Sequence, residues 1–388
     1  MGTTMEVELN AKQQECADSN ADWLLISGSA GTGKSLALCR RAKRLLEAGE
    51  SVLFITGTTR MLDKYTNMLS NGKFKQYQEN DGQCVFERKD MLYIKLLGAP
   101  VEYTRDGKDL ADKSEEDIKD FYDKIEDHAD FKNYSKDHVL IDEAQDFLIE
   151  ELYVFAQLAK KSLTLVASTA QEIFARDDTW EKKRERLEEI CNKKFVKLDL
   201  DIQMRMSAEI LTLANDIGSK IDAAVMTDAN AVSRGLPKIV MCNNEDEELE
   251  ELKTLVSGIN TDERRVGVII NFDKGKRTLK GIRQLLEDTG AKVYSDEIAD
   301  SGLWVLNVAN AKGIEFDDVI LFLDNDTFFC DHYKKGSGSK NLYVAVTRAC
   351  SNLVMIADVN NRSGYIGNSF NKNTPVFAND HYETYAHS

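Results

Sequence analysis

The chain has 388 residues, of which 42% are hydrophobic and 30% are charged. This length and composition are typical of a soluble globular protein with two or three domains. No apolar run approaches the roughly 18 residues of a membrane span, and the N-terminal residues lack the basic and apolar regions of a signal peptide. We therefore expect a cytoplasmic protein with no membrane partner. The formal net charge of −16 argues against tight nonspecific binding of nucleic acid, but it leaves room for a local basic groove.

Residues 28–35 carry the clearest motif of the chain. Their sequence, GSAGTGKS, matches the phosphate-binding loop G-x-x-x-x-G-K-[ST] (Walker A), and it follows an apolar run at 23–26 that predicts a buried strand. In such a loop, backbone N–H groups and the N-terminus of the next helix face the phosphates. Lys34 is expected at the β- and γ-phosphates, and Ser35 at Mg²⁺. The predicted phosphate-binding residues are Gly28, Ser29, Ala30, Gly31, Thr32, Gly33, Lys34 and Ser35.

An acidic pair follows another apolar run. Residues 138–141 predict a buried strand, and Asp142 and Glu143 follow it directly. A P-loop ATPase needs an acid at this strand end to hold Mg²⁺ and a carboxylate beside it to orient or deprotonate the attacking water. Asp142 is therefore a candidate Mg²⁺ ligand, and Glu143 a candidate catalytic residue. A further strand and turn at 163–171 end at Gln171, which is placed to sense the γ-phosphate.

The order of the predicted elements indicates an α/β fold with parallel sheets. A strand, the phosphate loop, a helix and a second strand at 51–56 form one β-α-β unit. The polar stretch at about 61–136 is typical of an insertion packed on the first domain rather than of part of its sheet. It contains a weak strand pair at 84–86 and 91–93.

Strands alternate with helices again from residue 195, beginning with a strand at 196–200. This alternation predicts a second parallel α/β domain, which contains no second phosphate loop. We therefore place the domains at 1–194 and 195–358, followed by a polar C-terminal tail at 359–388. The acidic run at 245–251 is interpreted as a solvated helix face, and the basic run at 274–277 as a candidate polyanion contact.

Several segments resemble motifs of the UvrD/Rep-like DNA helicases of superfamily 1, in the order found in that family. The matching segments are LN-x-x-Q at 9–13 (the Q motif), DEAQD at 142–146 (D-E-x-Q-D), L-x-x-QMR at 200–205 (N-Y-R), KGIEF at 312–316 (K-G-L-E-F) and LYVAVTRA at 342–349 (Y-V-A-x-T-R-A). The resemblance implies a P-loop NTPase with two RecA-like parallel-sheet lobes and a small insertion in the first.

The resemblance also assigns roles to individual residues. Gln13 would read the adenine, and Gly313 and Glu315 belong to the motif whose glutamate meets the ribose. Arg205 and Arg348 would contact the γ-phosphate from the second lobe, so that hydrolysis between the two lobes could drive movement along a single strand.

The chain departs from the family pattern at several positions. Leu36 and Met204 stand where the family stacks adenine between an arginine and a tyrosine, so we expect weaker base selectivity. The segment at 307–313 lacks the family's Thr and His on the nucleic-acid side, and the turn that ends at Gln171 lacks the family's acid. The interval 215–307 is already occupied by predicted core elements, which leaves no room for a large inserted subdomain.

These patterns predict an ATP-dependent helicase or translocase on single-stranded nucleic acid, DNA rather than RNA by resemblance, with Mg²⁺ as cofactor. Arg60 and Phe174 are candidate nucleic-acid contacts. The alternative is a helicase-like ATPase switch that acts on a protein partner in a DNA-processing or phage-defence assembly, with little or no unwinding. A P-loop kinase is disfavoured because such kinases lack the arginine pair at Arg205 and Arg348.

Overall fold

A computed structural model describes the protein at residues 8–57, 83–97, 114, 116, 119, 122–123, 129–172, 179–221, 223–228, 232–271, 273, 275–294, 299–323 and 337–358. The chain divides into two compact units, which are described separately. The first unit extends to Leu200, and the second begins at Asp201 and also includes Ser29–Thr32.

The first unit is built on a six-stranded parallel sheet with the order β3-β2-β4-β5-β1-β6. Its strands are β1 (Trp23–Gly28), β2 (Val52–Thr56), β3 (Cys84–Arg88), β4 (Lys136–Ile141), β5 (Ala159–Ala167) and β6 (Val196–Leu200). Its helices are α1 (Ala11–Asp18), α2 (Lys34–Glu47), α3 (Lys89–Leu97), α4 (Ala129–Tyr134), α5 (Ile149–Gln157) and α6 (Trp180–Ile190). Two short 3₁₀ turns, Ala144–Asp146 and Thr169–Gln171, follow β4 and β5.

Buried strand residues alternate between the two faces of this sheet. Leu25 and Ile141 belong to a core shared with α5 and α6, whereas Leu24 and Leu140 belong to a separate core shared with α1 and α2. Period-2 alternation with apolar residues on both faces is the pattern of a parallel sheet covered by helices on each side. The sheet therefore holds the carboxyl ends of β1, β4 and β5 as neighbours, at the edge where functional loops collect.

Two sequence-based interpretations of the first unit were wrong. The segment at 84–88 is an edge strand of the main sheet, paired with β2, rather than part of an insertion outside the sheet. The segment at 91–93, predicted as a strand, lies in α3, where Leu92 and Leu96 are buried one helical turn apart. The remainder of the predicted insertion at 61–136 lies largely outside the described residues.

The strand at 196–200 was also assigned to the wrong domain. It pairs in parallel with β1, from Leu24 opposite Val196 to Gly28 opposite Leu200, and so completes the first sheet. The predicted boundary at 194/195 placed this strand in the second domain. The sequence of an exposed edge strand does not indicate which strand it pairs with.

The second unit contains another six-stranded parallel sheet, with the order β7-β12-β11-β8-β10-β9. Its strands are β7 (Lys238–Cys242), β8 (Arg265–Ile270), β9 (Val293–Tyr294), β10 (Gly302–Asn307), β11 (Phe316–Phe322) and β12 (Ala349–Asp358). Its helices are α7 (Ala208–Gly218), α8 (Glu245–Ser257), α9 (Leu279–Glu287), α10 (Val308–Ala311) and α11 (Ser337–Val346). The structure therefore confirms the α/β class with two parallel-sheet domains.

β12 lies between the edge strand β7 and β11 in the second sheet, although the sequence analysis did not predict it. Its buried residues Leu353, Met355 and Ile356 belong to a short apolar run. Such a run is compatible with a buried strand or a buried helix, and the pairing with β7 and β11 identifies it as a strand. The predicted tail at 359–388 lies outside the described residues.

Candidate functional site

The predicted phosphate loop links β1 to α2, which begins at Lys34 directly after Gly33. Gly31 and Gly33 have φ angles of 76° and 81°, in the left-handed region that favours glycine. The Lys34 ammonium donates to the Gly28 carbonyl at 2.8 Å and is almost fully buried. The backbone thus curves around the lysine, as the motif requires of a loop that surrounds phosphates.

Gln13 lies against Gly33, the last glycine of this loop. It occupies the first turn of α1, where its backbone N–H donates to the Asn10 side chain at 2.9 Å and its side chain accepts from the Asn10 N–H at 3.0 Å. A Cβ placed on Gly33 would approach the Gln13 Nε2 atom to 2.2 Å. The predicted base-reading glutamine is therefore fixed by a helix cap and held at the phosphate loop.

Asp142 follows the last residue of β4 and faces the start of α2. Its Oδ2 accepts from the Ser35 hydroxyl at 3.1 Å, and its Oδ1 accepts from the Glu143 N–H at 2.9 Å. Burial, followed by the Glu143 charge, raises the pKa of Asp142, while the Lys34 ammonium opposes that shift. The structure thus brings Ser35 and Asp142 together, as the sequence predicted.

Glu143 adopts a left-handed backbone conformation, with φ 54° and ψ 41°, just before the 3₁₀ turn Ala144–Asp146. A non-glycine residue in this region carries strain that the surrounding contacts must hold. Its carboxylate accepts from the Gln145 amide, and the Gln145 Oε1 accepts from the Ser168 N–H at 3.1 Å. Ser168 begins the turn that ends at the buried Gln171.

Gln145 was not among the predicted site residues. Its side chain bridges the turn after β4 to the turn after β5, and so links the segment of Glu143 to that of Gln171. The signal was present in the sequence, because Gln145 is the glutamine of the DEAQD segment.

The oxygen ligands at Ser35 and Asp142 suit Mg²⁺, which prefers hydroxyl and carboxylate oxygens and keeps several water or phosphate ligands. The raised pKa of Asp142 means that burial and a neighbouring acid disfavour its charged form, and a bound cation would reverse this. Within the described part of the chain, no three His, Cys, Asp or Glu side chains gather into a metal-binding cluster. The Ser35 hydroxyl and the Asp142 carboxylate would hold such an ion from the protein side, and its other positions would be open to water or phosphate oxygens.

Arg205 in the second unit is held by an ion pair with Glu315, with Nη1 and Oε1 2.7 Å apart, and its Nη2 donates to the Thr347 carbonyl. Its backbone N–H donates to the Gln203 Oε1 at 2.8 Å. Burial acts to lower the pKa of Arg205, but the Glu315 carboxylate outweighs it and the net shift is upward. Arg205 and Glu315, both predicted to contact ATP, therefore form an ion pair with each other in this structure.

Arg348 is buried at the junction of α11 and β12. Its Nε donates to the Val344 carbonyl at 3.0 Å, its Nη1 to the Ile314 carbonyl at 3.3 Å, and its Nη2 to the Thr347 hydroxyl at 3.1 Å. Gly313, next to Ile314, has a φ of 81°, so the KGIEF turn uses its glycine for a left-handed backbone. The second predicted arginine is therefore fixed to this turn.

Leu36 and Met204, the two departures at the predicted base site, are both at least partly accessible. Leu36 is half-buried in the first turn of α2, and 56% of Met204 is exposed. Arg60 and Phe174, the candidate nucleic-acid contacts, lie outside the described residues.

The basic run at 274–277 is neutralised by the acidic helix α8 where it is described. Arg277 is buried and pairs with Glu248 at 3.3 Å, and the Lys276 ammonium lies 2.6 Å from the Asp246 carboxylate. Glu248 is 0% exposed, so the interpretation of 245–251 as a solvated face was wrong at that residue. The period of α8 turns Glu248 inward, where Arg277 compensates its charge.

Comparison with known proteins gives two family matches. Residues 13–175 match the model of an AAA domain, and residues 302–356 match that of the UvrD-like helicase C-terminal domain. No curated protein matches the chain. A crystal structure of the C-terminal domain of a possible DNA helicase from Lactobacillus plantarum is 19% identical to this chain, with a TM-score of 0.31, and the match covers 40% of this chain and 86% of that one.

The AAA-domain match and the two parallel-sheet units define the class: the protein is a P-loop NTPase with two RecA-like lobes. The second match likens residues 302–356 to the C-terminal domain of the UvrD-like helicases. Among the helices that the structure describes, none has both the length and the hydrophobicity needed to cross a membrane.

Proposed function

We propose that the protein hydrolyses ATP with Mg²⁺ at the first-unit site. The observation that carries this proposal is the joint geometry of the loop lysine and the acidic pair. Lys34 is enclosed by its own loop, and the Ser35 hydroxyl lies 3.1 Å from the Asp142 carboxylate. A bound Mg²⁺ would neutralise charge on the β- and γ-phosphates and polarise the bond that breaks.

The remaining residues of this site have separate roles in the proposal. Lys34 and the backbone N–H groups of the loop bind and orient the phosphates. Glu143 orients the attacking water and accepts its proton, and Gln171 senses the γ-phosphate. Gln145 holds the Glu143 carboxylate. Hydrolysis is therefore assigned to a water positioned by the turn that follows β4.

The proposed use of this ATPase activity is translocation on single-stranded nucleic acid, DNA rather than RNA. The UvrD-like helicase match supports a nucleic-acid substrate. Under this proposal Arg205 and Arg348 contribute to γ-phosphate contact in the working cycle, and hydrolysis drives movement. Arg348 is buried and Arg205 is half-buried, and both are anchored within their own unit. Groups that must act at a reproducible position need such anchoring.

A second candidate is an ATPase switch that acts on a protein partner and unwinds little or no duplex. The observation that favours it is the pairing of Lys276 and Arg277 with carboxylates of α8. These cations are engaged within the protein instead of being presented to a polyanion, in a chain with a net charge of −16.

Steady-state ATPase assays with and without single-stranded DNA or RNA test both candidates. Glu143→Gln is the blank, and Glu181→Gln, at an exposed position of α6, is the matched control. Several-fold stimulation by a strand, fading as salt rises, supports the translocase. Turnover that no strand stimulates supports the switch. If the wild type turns over no faster than Glu143→Gln, both candidates are rejected.

A further inference from the structure

Lys183 is a buried lysine that no predicted motif contains. It lies in the first turns of α6 and is only 4% exposed. Its ammonium donates to the Gln145 carbonyl at 2.5 Å and to the Phe147 carbonyl at 3.0 Å. Burying an ammonium is costly unless acceptors replace its water, so these contacts determine where the side chain sits.

The two acceptors flank the short turn that follows Glu143. Gln145 lies inside the 3₁₀ turn Ala144–Asp146, and Phe147 is its C-cap. Carbonyls at the end of a short helix lack partners within it, and a lysine near that end supplies them. The strained residue Glu143 precedes this turn. Lys183 therefore binds the opposite, C-terminal end of the turn.

The side chain of Gln145 extends this contact to the proposed catalytic carboxylate. Its Nε2 donates to the Glu143 Oε2, and its Oε1 accepts from the Ser168 N–H. Gln145 is 2% exposed, so it has little room to shift. One short path of hydrogen bonds thus joins the Lys183 ammonium to the Gln145 backbone and, through its amide, to the Glu143 carboxylate.

We propose that Lys183 is a positioning residue that holds the Glu143 carboxylate in the geometry that ATP hydrolysis requires. This inference rests on the proposed ATPase function. Lys183 touches neither nucleotide nor water in this role, because it acts through the turn and Gln145. A displacement of about 1 Å at a reacting group can cost on the order of 100-fold in rate, so a loosened turn lowers turnover more than it lowers nucleotide binding.

A purely structural role for Lys183 would lower stability without a specific effect on turnover. Arg184, the next residue of the same helix, supplies the matched control. It is 8% exposed, and its guanidinium contacts Glu188 at 2.8 Å and Glu185 at 2.9 Å, both within α6. Removing its charge disturbs a buried ion pair on the same helix, whereas its contacts with Glu185 and Glu188 do not involve the Glu143 turn.

The experiment measures kcat and KM for ATP in the wild type, Lys183→Met, Lys183→Arg and Arg184→Met. We expect Lys183→Met to lower kcat about tenfold with little change in KM. Lys183→Arg keeps N–H donors and should recover part of that loss. Arg184→Met should keep the wild-type kcat at a temperature where it remains folded. Hydrogen exchange of residues 142–148 should accelerate in Lys183→Met and not in Arg184→Met.

Three results would overturn the inference: equal kcat for Lys183→Met and Arg184→Met, a change in KM alone, or unchanged exchange of residues 142–148 in Lys183→Met. Failure of the proposed function is separate from these outcomes, since it appears as a wild type no more active than Glu143→Gln. In that case the exchange measurement still shows whether Lys183 holds the turn.

Discussion

The side-chain amide of Gln13 occupies the space that a side chain at Gly33 would need. A Cβ on Gly33 would lie 2.2 Å from the Gln13 Nε2, a separation that real Cβ atoms do not show. The glycine of the phosphate loop and the glutamine of the Q motif therefore constrain each other, quite apart from any contact with nucleotide.

The first prediction follows from this contact and has a matched control just beyond the other end of α2. Gly33 and Gly49 have nearly equal φ angles, 81° and 82°, but a Cβ on Gly49 meets nothing within 4 Å. Gly49→Ala should cost only the conformational strain, about 1 kcal/mol. Gly33→Ala should cost about 1–3 kcal/mol more, because it also forces Gln13 aside.

Urea unfolding measures both costs, and fluorescence titration with an ATP analogue measures binding. We expect Gly33→Ala to bind nucleotide more weakly and Gly49→Ala to bind normally. Adding Gln13→Ala to Gly33→Ala should restore part of the lost stability by removing the clash. Equal destabilisation by the two glycine substitutions would contradict this account.

The second prediction concerns base selectivity at Leu36. An aliphatic side chain lacks the cation–π attraction of an arginine over a purine, which is worth about 0.5–1 kcal/mol at an exposed site. We expect the wild type to prefer ATP over GTP only weakly. Leu36→Arg should lower the KM for ATP about two- to fivefold, whereas Leu36→Met, similar in size and uncharged, should leave it near the wild-type value. A strong preference of the wild type for ATP would refute the prediction.

The third prediction tests the ion pair between Arg205 and Glu315. The Glu315 side chain is 40% exposed, so solvent screens part of the attraction, whereas only 13% of the Arg205 side chain is exposed. Glu315→Ala should lower the free energy of unfolding by about 1 kcal/mol, because the guanidinium loses an acceptor. Glu315→Gln retains an oxygen acceptor and should cost less. Chemical denaturation of the three proteins checks this order, and equal losses for Ala and Gln would show that the carboxylate, not the acceptor, is what matters.

The fourth prediction concerns acid stability through His138 in β4. Its Nδ1 lies 2.6 Å from the Ser162 hydroxyl of the neighbouring strand. Burial lowers the pKa of His138, although the Glu50 carboxylate opposes that shift. The unfolded chain therefore binds the proton more readily than the folded one.

Stability is then fully present above the ordinary histidine pKa of about 6.5 and is lost as pH falls through the lower pKa of the folded state. Urea unfolding should show that wild type loses more stability than His138→Gln between about pH 7.5 and 5.5, by about 1 kcal/mol at most. Asp137, whose pKa is lowered to about 2, changes its protonation at a lower pH and does not contribute to the difference between the two proteins in this range. Parallel pH profiles for the two proteins would count against a buried neutral histidine.

Some elements were predictable because their signal is local. The phosphate loop needs left-handed glycines, a lysine and a hydroxyl within eight consecutive residues, and the structure has that loop between β1 and α2. The acidic pair after β4 was likewise predictable from the local sequence. Two acidic residues directly after a buried strand lie at the carboxyl edge of a parallel sheet, where ligand-binding residues are usually found.

Other features could not be read because they depend on partners far away in sequence. The exposed strand β6 and the edge strand β3 carry weak patterns of their own, and hydrogen bonds to β1 and β2 assign them to the first sheet. The local pattern of α8 likewise did not reveal that Glu248 points inward to Arg277.

The amino-acid sequence alone was sufficient to predict the α/β class, the phosphate-loop segment and the acidic pair after β4, because each has its signal in residues close together in the chain. Only the tertiary structure decided that Gln145 holds Glu143, that Lys183 holds Gln145, and that Glu315 pairs with Arg205. The last two contacts join residues on separate elements, and the energies of all three depend on burial and distance, which folding alone sets.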